Sequence, residues 1–215
     1  MSLVGRTPAM LAGQPQTANR TERPEVIIFL GPDGSGRNTL ISCLEVLGFG
    51  QRCQQHTTRP PRHPDDQDHY VHIGMDDFSA RRTAGEYLLP HLVGHHWFGE
   101  PISDVQQAWS SGKVALLKGP VRRVEKTKSR ILKLNQDARI LTVCLLTDPR
   151  NLWITALNGW GVPDLAERIM EGKRELDECL VQLRSVVDGF VTNYAGDPRR
   201  MVDDLMKLRH DMICQ

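Results

Sequence analysis

The chain has 215 residues, 40% of them apolar and 25% charged, an ordinary globular composition with length for one sizeable α/β domain and little left for a second. Its 27 basic and 26 acidic residues leave a formal charge of +1, which excludes a global electrostatic drive toward nucleic acid or a membrane surface. The five cysteines (Cys43, Cys53, Cys144, Cys179, Cys214) are odd in number and widely spaced, as in reduced cytoplasmic proteins, and no window approaches the ~18 apolar residues of a membrane span.

Residues 1–23 mix Gly, Pro, Gln and Thr with Arg6, Arg20 and Arg23 and read as a disordered N-terminal arm, so the folded domain is expected over 24–215. The apolar run Val26–Leu30 then predicts a buried strand. It runs directly into Gly31-Pro-Asp-Gly34-Ser-Gly36-Arg37-Asn38-Thr39, the layout of a phosphate-binding loop opening a helix over Asn38–Leu47. In the pattern G-x-x-x-x-G-K-[ST], backbone N–H groups wrap the phosphates, the Lys neutralises them and the hydroxyl ligates Mg²⁺. Here Arg37 stands for the Lys and Asn38 for the hydroxyl, with Thr39 one residue too late to replace it simply. The scaffold is kept while both chemical positions are altered: Arg is a planar fork on a longer stem, and an Asn amide oxygen carries no charge.

Further along, Val114–Leu117 and Ile140–Leu146 read as buried strands, and short strand signals fall at Tyr70–Ile73 and Glu86–Leu89. Helical patterns cover Ile102–Ser111, Arg122–Leu134, Pro163–Val187 and Asp197–Ile213, the last opened by an Asp197 N-cap with Pro198 at the first helical position. Strands alternating with helices imply a doubly wound α/β core with a parallel sheet. His69, His72, His91, His95 and His96 suggest a metal cluster at first sight. Adjacent His95 and His96 point to opposite faces of a strand and no acid or cysteine completes a ligand spacing, so no metal site is expected.

A second signature, His56-Thr57-Thr58-Arg59-Pro60-Pro61-Arg62, follows the loop, and together the two motifs make the chain resemble the guanylate kinase family. Tyr70-Val-His-Ile-Gly-Met-Asp-Asp-Phe78, Gly85-Glu86-Tyr87-Leu88, Trp97-Phe98-Gly99, Ala166-Glu-Arg168 and Val191-Thr-Asn193 resemble further family segments, so the likeness covers roughly 25–213. The resemblance implies an α/β P-loop nucleoside monophosphate kinase fold: a parallel-sheet core, a small GMP-binding-type insert at about 54–97 and a lid at about 155–168. For an active member it implies ATP-dependent phosphorylation of GMP with Mg²⁺.

Residue by residue, the resemblance gives the phosphate pocket to Arg59, Arg62, Asp65 and Tyr70, and the ATP-phosphate loop to Gly31, Gly34, Gly36, Arg37, Asn38 and Thr39. Arg59 and Arg62 are expected as solvent-facing pocket arginines. Leu89 and Gln55 stand where the family reads guanine, Phe98 and Glu100 where it has Tyr and Thr/Ser, and Lys118 and Pro120 where it has acids. The lid arginines are replaced in Asn158-Gly159-Trp160-Gly161, which leaves Arg37 and Arg168 as the catalytic candidates if the chain is active. These losses point to a catalytically impaired domain in the manner of the membrane-associated guanylate kinase scaffolds, whose similar pocket takes phosphorylated peptides. The expected partner is a phosphorylated or acidic peptide, at a cytoplasmic location with recruitment to membrane-associated complexes. The alternatives are a divergent guanylate kinase using ATP and Mg²⁺, and a nucleotide sensor binding GMP or ATP without turnover.

Overall fold

A computed structural model describes residues 23–32, 34–61, 64–148, 186–194 and 197–214, isolated positions 170, 173, 177 and 181, and of residues 64 and 65 only the backbone. The arm, the lid with Arg168 and most of the Pro163–Val187 helix lie outside the described residues, as does Arg62.

The first strand, β1 (Glu25–Leu30), is buried along its whole length. Its odd and even side chains serve different layers, as the two-residue period of a strand demands. Val26, Ile28 and Leu30 pack with Val105 and Ala108 of α3 (Ile102–Ser110) and with Val124 and Ile131 of α4 (Val124–Leu134). Ile27 and Phe29 pack with Leu40, Ile41 and Leu44 of α1 (Arg37–Val46) and with Met201, Val202 and Leu205 of α5 (Pro198–Ile213). Continuous apolar sequence is thus what a strand between two helical layers requires. The sheet is parallel in the order β2-β7-β1-β8-β9, with β2 (Gly50–Arg52), β7 (Val114–Lys118), β8 (Arg139–Thr147) and β9 (Gly189–Asn193) around β1. The strands expected at Val26–Leu30, Val114–Leu117 and Ile140–Leu146 each agree with these bounds to within a residue at either end. Asp197 caps α5, its carboxylate accepting from Arg200 N at 3.2 Å, and α5 is tied to the start of β1 by Arg209, which donates to both Glu25 oxygens at 2.7 and 2.6 Å.

Between β2 and α3 the chain builds a second sheet in the order β4-β3-β6-β5, from β3 (Gln55–Thr57), β4 (Tyr70–His72), β5 (His91–Val93) and β6 (His96–Gly99). Helix α2 (Met75–Thr83) packs on it through Phe78, stacked on Tyr87 with ring centroids 4.7 Å apart. Asp76 and Asp77 in its first turn and Arg81 and Arg82 in its last complement the helix dipole. The strand expected at Glu86–Leu89 is instead one bridge, Tyr87 to Pro101, flanked by Leu88 N to Glu100 O and Ile102 N to Glu86 O. Pro90 and Pro101 lack the N–H that a longer ladder would use.

Candidate functional site

The loop between β1 and α1 has the backbone that its glycines permit. Gly31, Gly34 and Gly36 have φ of 127°, 83° and 95°, a region that favours glycine. A Cβ on Gly36 would lie 2.7 Å from Asn193 Nδ2, and the same amide donates to Ser35 O at 3.0 Å. Asn193, at the end of β9, therefore holds the loop closed from across the sheet. Gly36 serves as the N-cap of α1 without any side-chain cap, so first-turn N–H groups of the helix stay unclaimed by a capping residue, as in an anion cradle. Arg37 and Asn38 are half-buried on that first turn and Thr39 is exposed.

Opposite the loop stands the end of β7. Lys118, paired in register with Phe29 of β1, is only 9% exposed. Its ammonium donates to Asn38 Oδ1 at 3.1 Å and sits 4.3 Å from the centroid of the Tyr70 ring. The Arg59 guanidinium carbon lies 5.1 Å from the same centroid. Two cations thus lie against one phenol ring, and the insert and the core sheet meet there. Phe98 adds an edge contact to Tyr70 at 6.1 Å, and His91, its pKa lowered by burial, stacks on Phe98 at 5.9 Å.

Arg59 is aimed by its neighbours. Its N–H donates to Thr57 Oγ1 at 3.1 Å, its carbonyl contacts His72 Nδ1 at 2.6 Å, and Trp97 N donates to Thr58 Oγ1 at 2.9 Å. The two threonines of the motif therefore shape the turn that carries the arginine. The expectation of a solvent-facing Arg59 is corrected: it is 8% exposed, because the 3-10 turn Pro64–Asp68 brings Asp66 over it with Nη2 donating to Oδ2 at 2.8 Å. Asp66 was not singled out in the sequence; Asp65 was, and its side chain lies outside the described residues. Among the described residues, Nε and Nη1 of Arg59 are buried with no hydrogen-bond partner, as is Nε2 of His72. Of the four residues expected to form the phosphate pocket, Arg59 and Tyr70 come together, and Arg62 lies outside the described residues.

At the positions expected to read a base, Gln55 Nε2 donates to Glu100 Oε1 at 2.5 Å, both residues being buried. Burial pushes the Glu100 carboxyl up to about 7, with the Gln55 bond and the Lys118 and Arg123 charges drawing it back down. Leu89 is half-buried and contributes no side-chain polar atom.

Two curated relatives match part of the chain: guanylate kinase of Paraburkholderia xenovorans, 32% identical over 94 residues, and guanylate kinase of Helicobacter pylori, 29% identical over 93. The matches cover 43% and 42% of this chain, and it spans 42% and 45% of the length of those relatives. Among solved structures, guanylate kinase from Anaplasma phagocytophilum superposes with a TM-score of 0.57 over 88% of this chain and 86% of that one, at 14% identity. The chain folds as a guanylate-kinase-like domain. No family model matches it. The parallel-sheet core is that expected of the P-loop nucleoside monophosphate kinases.

Guanylate kinase likeness raises ATP and Mg²⁺ as ligands, and the residues fit the two differently. The glycine cradle fits a phosphate: a Cβ on Gly31 would stand 2.9 Å from Leu145 O and 3.0 Å from Ser35 Oγ, so the loop admits no side chain there. They do not fit a divalent cation. The amide oxygen at the hydroxyl's position already accepts from an ammonium, and that ammonium stands where the family has an acid. Among the described residues no group of three or more His, Cys, Asp or Glu gathers as a metal site, and no helix is long and apolar enough to cross a membrane.

Proposed function

We propose that this guanylate-kinase-like domain is catalytically impaired and recognises a phosphoryl group on a protein partner, with Arg59 and Tyr70 as the core of the pocket and Arg62 as a further donor. The observation that carries the reading is Arg59 itself: buried, oriented by Thr57 and Asp66, and left with two N–H-bearing nitrogens that no acceptor among the described residues meets. Each such orphan costs about 1–3 kcal/mol, a cost that an incoming phosphoryl oxygen relieves. Because those nitrogens are shielded from solvent, entry of the phosphoryl group requires the turn bearing Asp66 or the Tyr70 ring to give way. Charge-assisted bonds from a guanidinium recognise a phosphate whatever it esterifies. Leu89 offers a purine nothing to bond, and Gln55 and Glu100 satisfy each other, so the phosphate has more to hold it than a base would.

A second reading, a divergent ATP-dependent nucleoside monophosphate kinase, is favoured by the Gln55–Glu100 pair, which could exchange its mutual bond for bonds to a base other than guanine. The cytoplasmic location belongs to the first reading as well.

The experiment is a phosphoserine peptide library presented to the immobilised domain beside its unphosphorylated counterpart, with Arg59→Lys in parallel. Phosphate-dependent capture that falls at least about tenfold in the lysine variant supports the proposal, since Lys keeps the charge and loses the fork. Capture that ignores phosphorylation, or survives the substitution, removes Arg59 from the account.

A further inference from the structure

We infer that the Lys118 ammonium takes the place of the divalent cation, so that the loop between β1 and α1 binds a polyphosphate without metal. This goes beyond the peptide reading, since it concerns the other anion site and does not depend on Arg59. Lys118 ends the strand beside β1, so its stem rises from the same edge of the sheet as the loop. It is held rather than waving: the residue is 9% exposed, Nζ is 3.1 Å from Asn38 Oδ1, and the Tyr70 ring lies 4.3 Å away.

Two substitutions that look like separate losses in the sequence therefore form one contact. An acid and a hydroxyl would both turn oxygen toward a cation. Here the position of the acid supplies the cation, and Asn38 supplies the oxygen that fixes it. Mg²⁺ demands near-octahedral oxygen ligation at about 2.0–2.1 Å, and an ammonium bonded to the amide oxygen occupies that shell and repels a second cation. For a polyphosphate the preference reverses. Free ATP brings its full negative charge to a site with a fixed cation, whereas complexed ATP arrives partly neutralised and carrying the ion that Lys118 repels. The glycine backbone needs no metal to present N–H groups. The Tyr70 ring touches both this ammonium and Arg59, so one side chain adjoins the two anion sites.

The test is calorimetric titration of the full chain with ATP and with inorganic tripolyphosphate, each in EDTA and in excess Mg²⁺. Binding in EDTA as tight as in Mg²⁺ or tighter, for both probes, is expected. Lys118→Met should weaken metal-free binding at least about tenfold, and Asn38→Ala, which only releases the ammonium, by roughly threefold. Thermal melts establish that both variants fold, and Asn38→Ala, on a half-buried helix turn, serves if Lys118→Met does not. The double variant Lys118→Asp with Asn38→Ser should bind ATP only when Mg²⁺ is present. Binding of the parent chain strengthened about tenfold or more by Mg²⁺ overturns the inference, and so does unchanged metal-free affinity in Lys118→Met. Absence of ATP and tripolyphosphate binding under both conditions overturns it too. The Arg59 proposal, read with phosphopeptides, stands or falls separately.

Discussion

Replacing Glu100 with Gln isolates the consequence of burying an acid against a glutamine. Glu100 is 7% exposed, and burial pushes its carboxyl from 4.5 to about 7, against the pull of Gln55, Lys118 and Arg123. A carboxyl whose folded pKa lies above its unfolded one keeps its proton in the native state after the unfolded chain has released it. Its contribution to stability is therefore complete at acid pH, below 4.5, and is lost as pH rises through about 7. Integrated between about pH 5 and pH 8.5, that linkage amounts to about 2–3 kcal/mol. Gln at position 100 keeps an acceptor for Gln55 Nε2 and has no proton to exchange. Urea unfolding of both proteins across that range is the assay. The stability difference should move by about 2–3 kcal/mol in favour of Glu100→Gln as pH rises. Parallel pH profiles would mean that Glu100 titrates alike in folded and unfolded chains and that burial does not hold its proton.

Arg59→Ala should destabilise the fold by about 1–3 kcal/mol in denaturant melts, because it removes the 2.8 Å guanidinium partner of Asp66, itself 3% exposed; an unchanged or raised stability would contradict that pairing. Gly36→Ala forces φ of 95° on an L residue and puts a Cβ 2.7 Å from Asn193 Nδ2. It should cost about 1–3 kcal/mol by the same melts, with Asn193→Ala partly relieving it. Arg37→Lys with Asn38→Ser should not yield guanylate kinase turnover in a coupled assay, since Leu89 at the base-reading position and Lys118 opposite the loop are unchanged; robust turnover would mean that those two positions do not block the reaction.

The layered core was legible because its strands are apolar on successive residues, which only a sheet covered on both faces requires. The five-residue strand β9 was not singled out, since Gly189–Asn193 leaves Phe190 exposed and has a single fully buried side chain, Val191. In the insert, α2 was readable from acids at its start and arginines at its end, and was missed because the Tyr70–Phe78 stretch was taken whole as a family segment. At the site, Arg59 and Tyr70 were visible from their motifs, but the burial of Arg59 was not. It depends on Asp66 folding back from a 3-10 turn, a contact of seven residues' separation with no periodic signal. Lys118 and Asn38 were each visible as departures from a pattern. That they bond each other, across 80 residues of sequence, only the fold could bring out. The same holds for Gln55 and Glu100, 45 residues apart.

Whether this domain recognises a phosphoryl group without transferring one is decided by a single sample carried through two readings. The purified domain is titrated by calorimetry with GMP and with a captured phosphopeptide, then incubated with GMP, ATP and Mg²⁺ while ADP release is followed in a coupled assay. Phosphopeptide binding that Arg59→Lys weakens is expected, with GMP weaker than the peptide and ADP release no faster than in a blank without protein. Sustained, GMP-dependent ADP release that Arg59→Lys abolishes would contradict it and return the domain to the working kinases.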